Sequence, residues 1–107
     1  MDYMPIPKGA QAPILKFETD VEFQKELSKY RHEIHIRTLY AIDYAVNTNY
    51  DEEITIAFLN DDETILGCPP DVWSDNLEMT LDYFEEIEDY EKCQEVKNLI
   101  DKIKSKK

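Results

Sequence analysis

Glycine is nearly missing from this chain of 107 residues, with Gly9 and Gly67 its only two. Phosphate-cradling loops need clustered glycines so that backbone amides can close on the anion. Dinucleotide fingerprints, Walker loops and kinase loops are therefore excluded. Cysteine is also scarce. Cys68 and Cys93 form no Cys-x-x-Cys pair, which reads as two free thiols in a reducing compartment. No apolar run approaches the roughly 18 residues of a membrane span. The opening MDYMPIPKGAQAP lacks the charged-then-apolar layout of a signal peptide. The expectation is a cytoplasmic protein without membrane contact.

The most telling scarcity is local. Residues 51–91 contain fifteen acids and not one Lys or Arg, whereas residues 1–50 balance seven acids against six bases. The last sixteen residues reverse the sign, with six lysines against Glu95 and Asp101. The formal net charge of -12 thus comes from the middle of the chain. Such a balance argues against direct nucleic-acid binding, because phosphate contacts draw on Lys and Arg. Aromatics are not scarce, at 11% within 42% hydrophobic residues, so the chain can build a core. Its length suits one domain.

The first sixteen residues carry Pro5, Pro7 and Pro13, and proline removes amide donors and fixes φ. Residues 1–16 are therefore expected to form an extended arm, and 17–107 a single globular domain. Thr19-Asp20-Val21-Glu22 has the form of a capping box, which predicts a helix start. Phe23, Leu27, Tyr30 and Ile34 follow at helical spacing. Beyond Ile34 the apolar residues spread over more than one face, and the expectation is one long helix over about 20–46. Asn47-Thr48-Asn49 provides the stop, since Asn tolerates a left-handed C-cap.

Ile54, Ile56 and Phe58 alternate with Thr55 and Ala57, a strand pattern, and Thr64-Ile65-Leu66 returns after a polar turn. This predicts a short hairpin over about 53–66. Cys68-Pro69-Pro70 breaks the chain, after which Asp71 or Ser74 is expected to cap a helix. Trp73, Leu77, Leu81, Phe84 and Ile87 form the apolar stripe of that helix. Asp89 is expected to cap a last helix with Tyr90, Cys93, Val96, Ile100 and Ile103 facing inward. Together these form an antiparallel helical hairpin over about 72–104, in an α+β, mainly α, fold.

Residues 89–100, DYEKCQEVKNLI, resemble the second helix of the UVR motif, a small helical hairpin of bacterial nucleotide-excision-repair subunits and some protease adaptors. Asp89, Tyr90, Glu91, Lys92, Glu95 and Ile100 match, while Cys93 and Gln94 stand where the motif has two alanines. The apolar spacing of Leu77 to Ile87 is similar to the motif's first helix. The resemblance implies a protein-docking element over residues 77–103.

His32 and His35 lie at i, i+3, but no further ligand completes a zinc set, and they read as solvent-facing among Lys29, Arg31 and Arg37. Asn60-Asp61-Asp62-Glu63 lacks the spacing of a calcium loop. Nothing in the sequence brings a histidine to Cys68, and the acids read as exposed rather than paired in a cleft. No catalytic residue, metal or cofactor is assigned. Asp71, Asp75, Glu78, Asp82, Glu85 and Asp89 recur at steps of three and four, so they line one helix face, with Glu86 beside them. That face is the candidate site, with Trp73, Tyr83 and Tyr90 as aromatic anchors if exposed. The expected function is that of a non-enzymatic regulator or adaptor that docks on a basic protein surface. Two alternatives compete with it. One is a nucleic-acid mimic of the kind bacteriophages use against host defences, and the other is a structural subunit of a larger assembly.

Overall fold

A computed structural model describes residues 12–60 and 64–105. Strand β1, Ile14–Leu15, is followed by helices α1, Asp20–Lys29, and α2, Arg31–Asn47. Strands β2, Ile54–Leu59, and β3, Ile65–Cys68, come next. A 3-10 turn at Pro70–Val72 leads into α3, Trp73–Glu86, and α4, Tyr90–Ser105, closes the chain. The α+β, mainly α, class is as expected. Residues 1–11, most of the expected arm, lie outside the described residues.

The capping box at the start of α1 is formed. Thr19 accepts from the Glu22 amide, and the Glu22 carboxylate accepts from the Thr19 amide. The single long helix, however, is two. Tyr30 leaves helical geometry at φ -102°, ψ 18°, although its amide still bonds to the Glu26 carbonyl. No residue of α1 is buried, whereas α2 buries eight. The two halves serve different partners, which is why one axis does not suit both. α1 covers the β1 region, where Phe17 and Phe23 meet at 4.6 Å, and α2 enters the core.

Helix α2 packs against β2 on one side and against α3 and α4 on the other. Ile36, Arg37, Thr38 and Leu39 are consecutive and all buried, as expected of a helix enclosed by neighbours. This explains the apolar residues on more than one face. The helix ends as expected, with Asn49 in the left-handed region at φ 58°. The amides of Asn49 and Tyr50 turn back to the carbonyls of Val46 and Ala45, a Schellman closure.

The sheet has three strands in the order β1-β2-β3, with β1 parallel and β3 antiparallel to β2. The expected hairpin is thus present but extended by a strand from the proline arm. Its anchors are hydrogen bonds that the Phe58 and Asn60 amides donate to the carbonyls of Pro13 and Leu15, each 2.8 Å. The alternation expected of β2 fails halfway. Thr55 pairs with Gly67 but Ala57 with Leu66, leaving Ile56 as an extra residue in a bulge. An inserted residue shifts the faces by one, so Ala57 is buried and Phe58 only half-buried.

The α3–α4 hairpin is present, with corrections in detail. Neither Asp71 nor Ser74 caps α3, because the 3-10 turn feeds the helix directly and its N-cap is Val72. Trp73, Leu77 and Phe84 are buried as expected, but Ile87 is 44% exposed because it is the C-cap, past the last turn that faces α4. Thr80 and Tyr83 take buried places instead, facing α2. In α4, Cys93, Val96, Leu99 and Ile100 are buried, while Tyr90, at the first helical position, is exposed. Asp89 does cap α4, accepting from the Lys92 amide at 3.3 Å.

Candidate functional site

Helix α3 sets the geometry of the candidate face. At about 100° per residue, Asp75, Glu78, Asp82, Glu85 and Glu86 fall within an arc of roughly 100°. Trp73, Leu77, Thr80 and Phe84 lie on the opposite side and are buried. Asp71, Asp75, Glu78, Asp82, Glu85 and Glu86 are all exposed, and Asp89 is half-buried. The sequence-derived stripe is therefore one continuous face. Two of its members are engaged. Glu86 pairs with Arg31 at 2.8 Å, and Asp89 with Lys92 at 3.7 Å. The hydrogen bond from Arg31 holds the Glu86 carboxyl below its usual range, and the same contact raises the guanidinium. Among the described residues, Asp71, Asp75, Glu78, Asp82 and Glu85 make no ion pair. The lysines of α4 thus leave the stripe largely uncompensated.

The aromatic anchors need correction. Trp73 is 5% exposed, and its indole nitrogen donates to the Cys68 carbonyl at 2.9 Å. Tyr83 is 7% exposed, held under α2. Both are structural, because the face of α3 that carries them is turned into the molecule. Tyr90 alone is available, at 66% exposure. Met79, 58% exposed, was not singled out by spacing and stands one turn from both Asp75 and Asp82. The exposed apolar residues beside the acids are thus Met79, Ile87 and Tyr90.

The histidines are not simply solvent-facing. His32 Nδ1 and the Tyr83 hydroxyl share a hydrogen bond of 2.8 Å. His35 Nδ1 and the Thr80 hydroxyl share one of 2.9 Å. The His35 ring stacks on Tyr83 at 4.5 Å, and the Arg31 guanidinium lies 4.7 Å from the centre of the same tyrosine ring. Burial first, then the charges of Arg31 and His32, pushes His35 down to about 4. Burial pushes Tyr83 upward against the opposing pull of Arg31. The cluster is a polar clamp between α2 and α3. Among the described residues, no group of three or more His, Cys, Asp or Glu could hold a metal ion. Arg37, also expected at the surface, is buried and donates from Nε to the Thr55 carbonyl at 2.7 Å.

Cys68 belongs to a different neighbourhood. Its sulfur accepts from the Asn76 side-chain amide at 3.3 Å, and burial, aided by Glu53 and Asp71, pushes the thiol up to about 11. It is therefore a protonated core thiol. The structure does not bring it to His32 or His35, which bond to Tyr83 and Thr80. Cys93 is likewise free and buried.

The surface also holds an apolar groove of about 390 Å³, where the ends of α2 and α4 meet the start of α3. Sequence spacing gave no sign of it, because its walls come from three separated segments. No helix among the described residues is long and apolar enough to cross a membrane. Compared with protein-family models, with curated proteins and with solved structures, the chain finds no match in any of the three.

Proposed function

We propose that the protein is a non-enzymatic adaptor or regulator that docks on a basic surface of another protein through the outer face of its α3–α4 hairpin. One observation carries the reading. Asp71, Asp75, Glu78, Asp82 and Glu85 are exposed along one side and have no ion-pair partner among the described residues. Aligned like charges raise the free energy of the isolated fold through self-repulsion, and a partner of positive potential relieves it. Met79 and Tyr90 supply apolar contact at the centre and at the turn, the combination that specific interfaces use. The resemblance of residues 77–103 to the UVR hairpin, a protein-docking element, supports the same reading.

A second reading is favoured by the charge density itself. Over fourteen residues and about 21 Å of axis, α3 carries five carboxylates, about one per 4 Å. A single nucleic-acid strand carries one charge per 3.4 Å or so, and a duplex one per 1.7 Å. The face therefore matches one strand better than a duplex, which gives mimicry of a nucleic-acid strand a physical basis.

The test is affinity capture from lysate with the wild type and with Asp75→Lys, Glu78→Lys, Asp82→Lys and Glu85→Lys combined. The expected outcome is a specific protein that the wild type retains at low salt and releases at high salt, and that the variant fails to retain. Release by a single-stranded oligonucleotide would favour mimicry, whereas indifference to it would favour docking. An identical set of captured proteins from both would end both readings.

A further inference from the structure

Strand β3 is an outer strand of the sheet, since the order is β1-β2-β3. Antiparallel ladders alternate residue pairs that exchange hydrogen bonds with pairs that exchange none. The Leu59 amide donates to the Thr64 carbonyl at 2.8 Å, whereas the Phe58 amide turns the other way and donates to the Pro13 carbonyl beside β1. Phe58 and Ile65, which pair in register, are therefore a pair that exchanges none. It follows that Ile65 directs its own amide and carbonyl away from β2, to the open edge of the sheet.

The side chains beside that edge are of two kinds. Leu15, Ile54, Ala57 and Cys68 lie on the face turned to the interior and are buried. On the opposite face Ile14, Phe58 and Ile65 stand level across all three strands, a single apolar row. Phe58 is half-buried in the middle, and Ile14 and Ile65 are 44% and 40% exposed. A sheet face turned only to water carries polar residues in such a row. Two positions along β3, Gly67 has no side chain, and the Glu53 side chain reaches across from the start of β2 into the space that a Cβ would take. Glu53 is exposed and makes no ion pair among the described residues. From Ile65 to Gly67 the edge thus presents an outward backbone pair, an apolar side chain and an uncompensated carboxylate.

We propose that an extended segment of another protein adds to β3 as a further strand, with an apolar residue beside Ile65 and a Lys or Arg beside Gly67, paired with Glu53. The spacing follows from strand geometry. Side chains on one face recur at every second residue, so the two that meet Ile65 and Gly67 are separated by one residue. Main-chain bonds at the edge supply affinity and the two side chains supply selectivity. A second copy is the wrong occupant, because pairing β3 with itself joins two edges that each carry Glu53, in chains of net charge -12. The site is on the sheet and does not depend on the acidic face of α3.

The probe is the capped peptide Thr-Lys-Thr-Val-Thr-Lys-Thr, titrated into the nitrogen-labelled full chain. It reads the same in both directions, so a parallel and an antiparallel approach meet the same spacing. The expected result is that the Ile65 amide exchanges its hydrogen more slowly with peptide present, while the resonances of Leu66 and Gly67 shift. Glu53→Gln, a change at an exposed side chain, is expected to weaken binding by about two- to fivefold, the scale of an exposed ion pair. The twin peptide with Glu in place of both lysines is expected not to bind. Unchanged exchange at Ile65, or shifts confined to α3, would overturn the proposal. Equal binding of the two peptides would overturn it as well. So would protection of Ile65 that grows with protein concentration in the absence of peptide, which would make a second copy the occupant.

Discussion

His35 illustrates how a residue that reads as surface becomes part of an interface. It stacks on Tyr83 and bonds to Thr80, so its neutral form is built into the contact between α2 and α3. Its folded pKa, about 4, lies below the ordinary value of 6.5. For a base whose folded pKa is depressed, the stabilising contribution is complete above the unfolded value and is lost as pH falls toward the folded one. The window is therefore about 6.5 down to 4. The groups facing this ring are Arg31 and His32 from its own helix and Thr80 and Tyr83 from α3. The expected outcome is that wild-type stability in urea falls between pH 7 and pH 5 more steeply than that of His35→Gln. Equal slopes would show that other groups dominate this range. Neither the histidine's role nor that of Tyr83 was legible from spacing, because contact between residues 45 and 48 apart depends on how two helices cross. The acids of α3 were legible, since a solvent face requires only the 3.6-residue period.

At the scale of elements, the turn between α3 and α4 is where local chemistry and geometry disagree. Glu88 sits at φ 61°, in the left-handed region. Its amide and that of Asp89 close back on the carbonyls of Glu85 and Phe84, a Schellman arrangement whose pivotal position favours glycine. A Cβ there costs on the order of 1 kcal/mol, so Glu88→Gly is expected to stabilise the fold by about 0.5–1 kcal/mol despite its greater unfolded-state entropy. The denaturation midpoint measures this, and a lowered midpoint would count against the assigned geometry. Near-absence of glycine in the chain thus has a structural consequence as well as a functional one. The Thr19–Glu22 capping box and the Asn49 stop were readable, because they involve residues within a few positions of each other. The break at Tyr30 was not, as no proline, glycine or cap marks it. The β2 bulge was equally hidden, since an extra residue becomes visible only against the strand it fails to pair with.

At the scale of the molecule, charge is the dominant fact. The net charge of -12 is concentrated in residues 51–91, and α3 presents its share on one side. Self-repulsion of this kind is screened by salt over a Debye length of about 10 Å at 0.1 M. The wild type is expected to gain a few degrees in Tm between low salt and about 0.5 M sodium chloride. The fourfold lysine variant changes the charge by two at each position, from -12 to -4, and should show a flatter dependence. Parallel salt dependences, read by calorimetry, would mean that the face is not a source of strain. By itself, the sequence determined the fold class, the helical hairpin, several caps and the acidic face, because each follows from composition or from a period within one element. Tertiary structure alone decided the division of the first helix, the pairing of β1 with β2, the burial of Trp73 and Tyr83 and the groove at the chain's interior end. Those depend on which distant segments share a surface, a matter of packing that local periodicity does not encode.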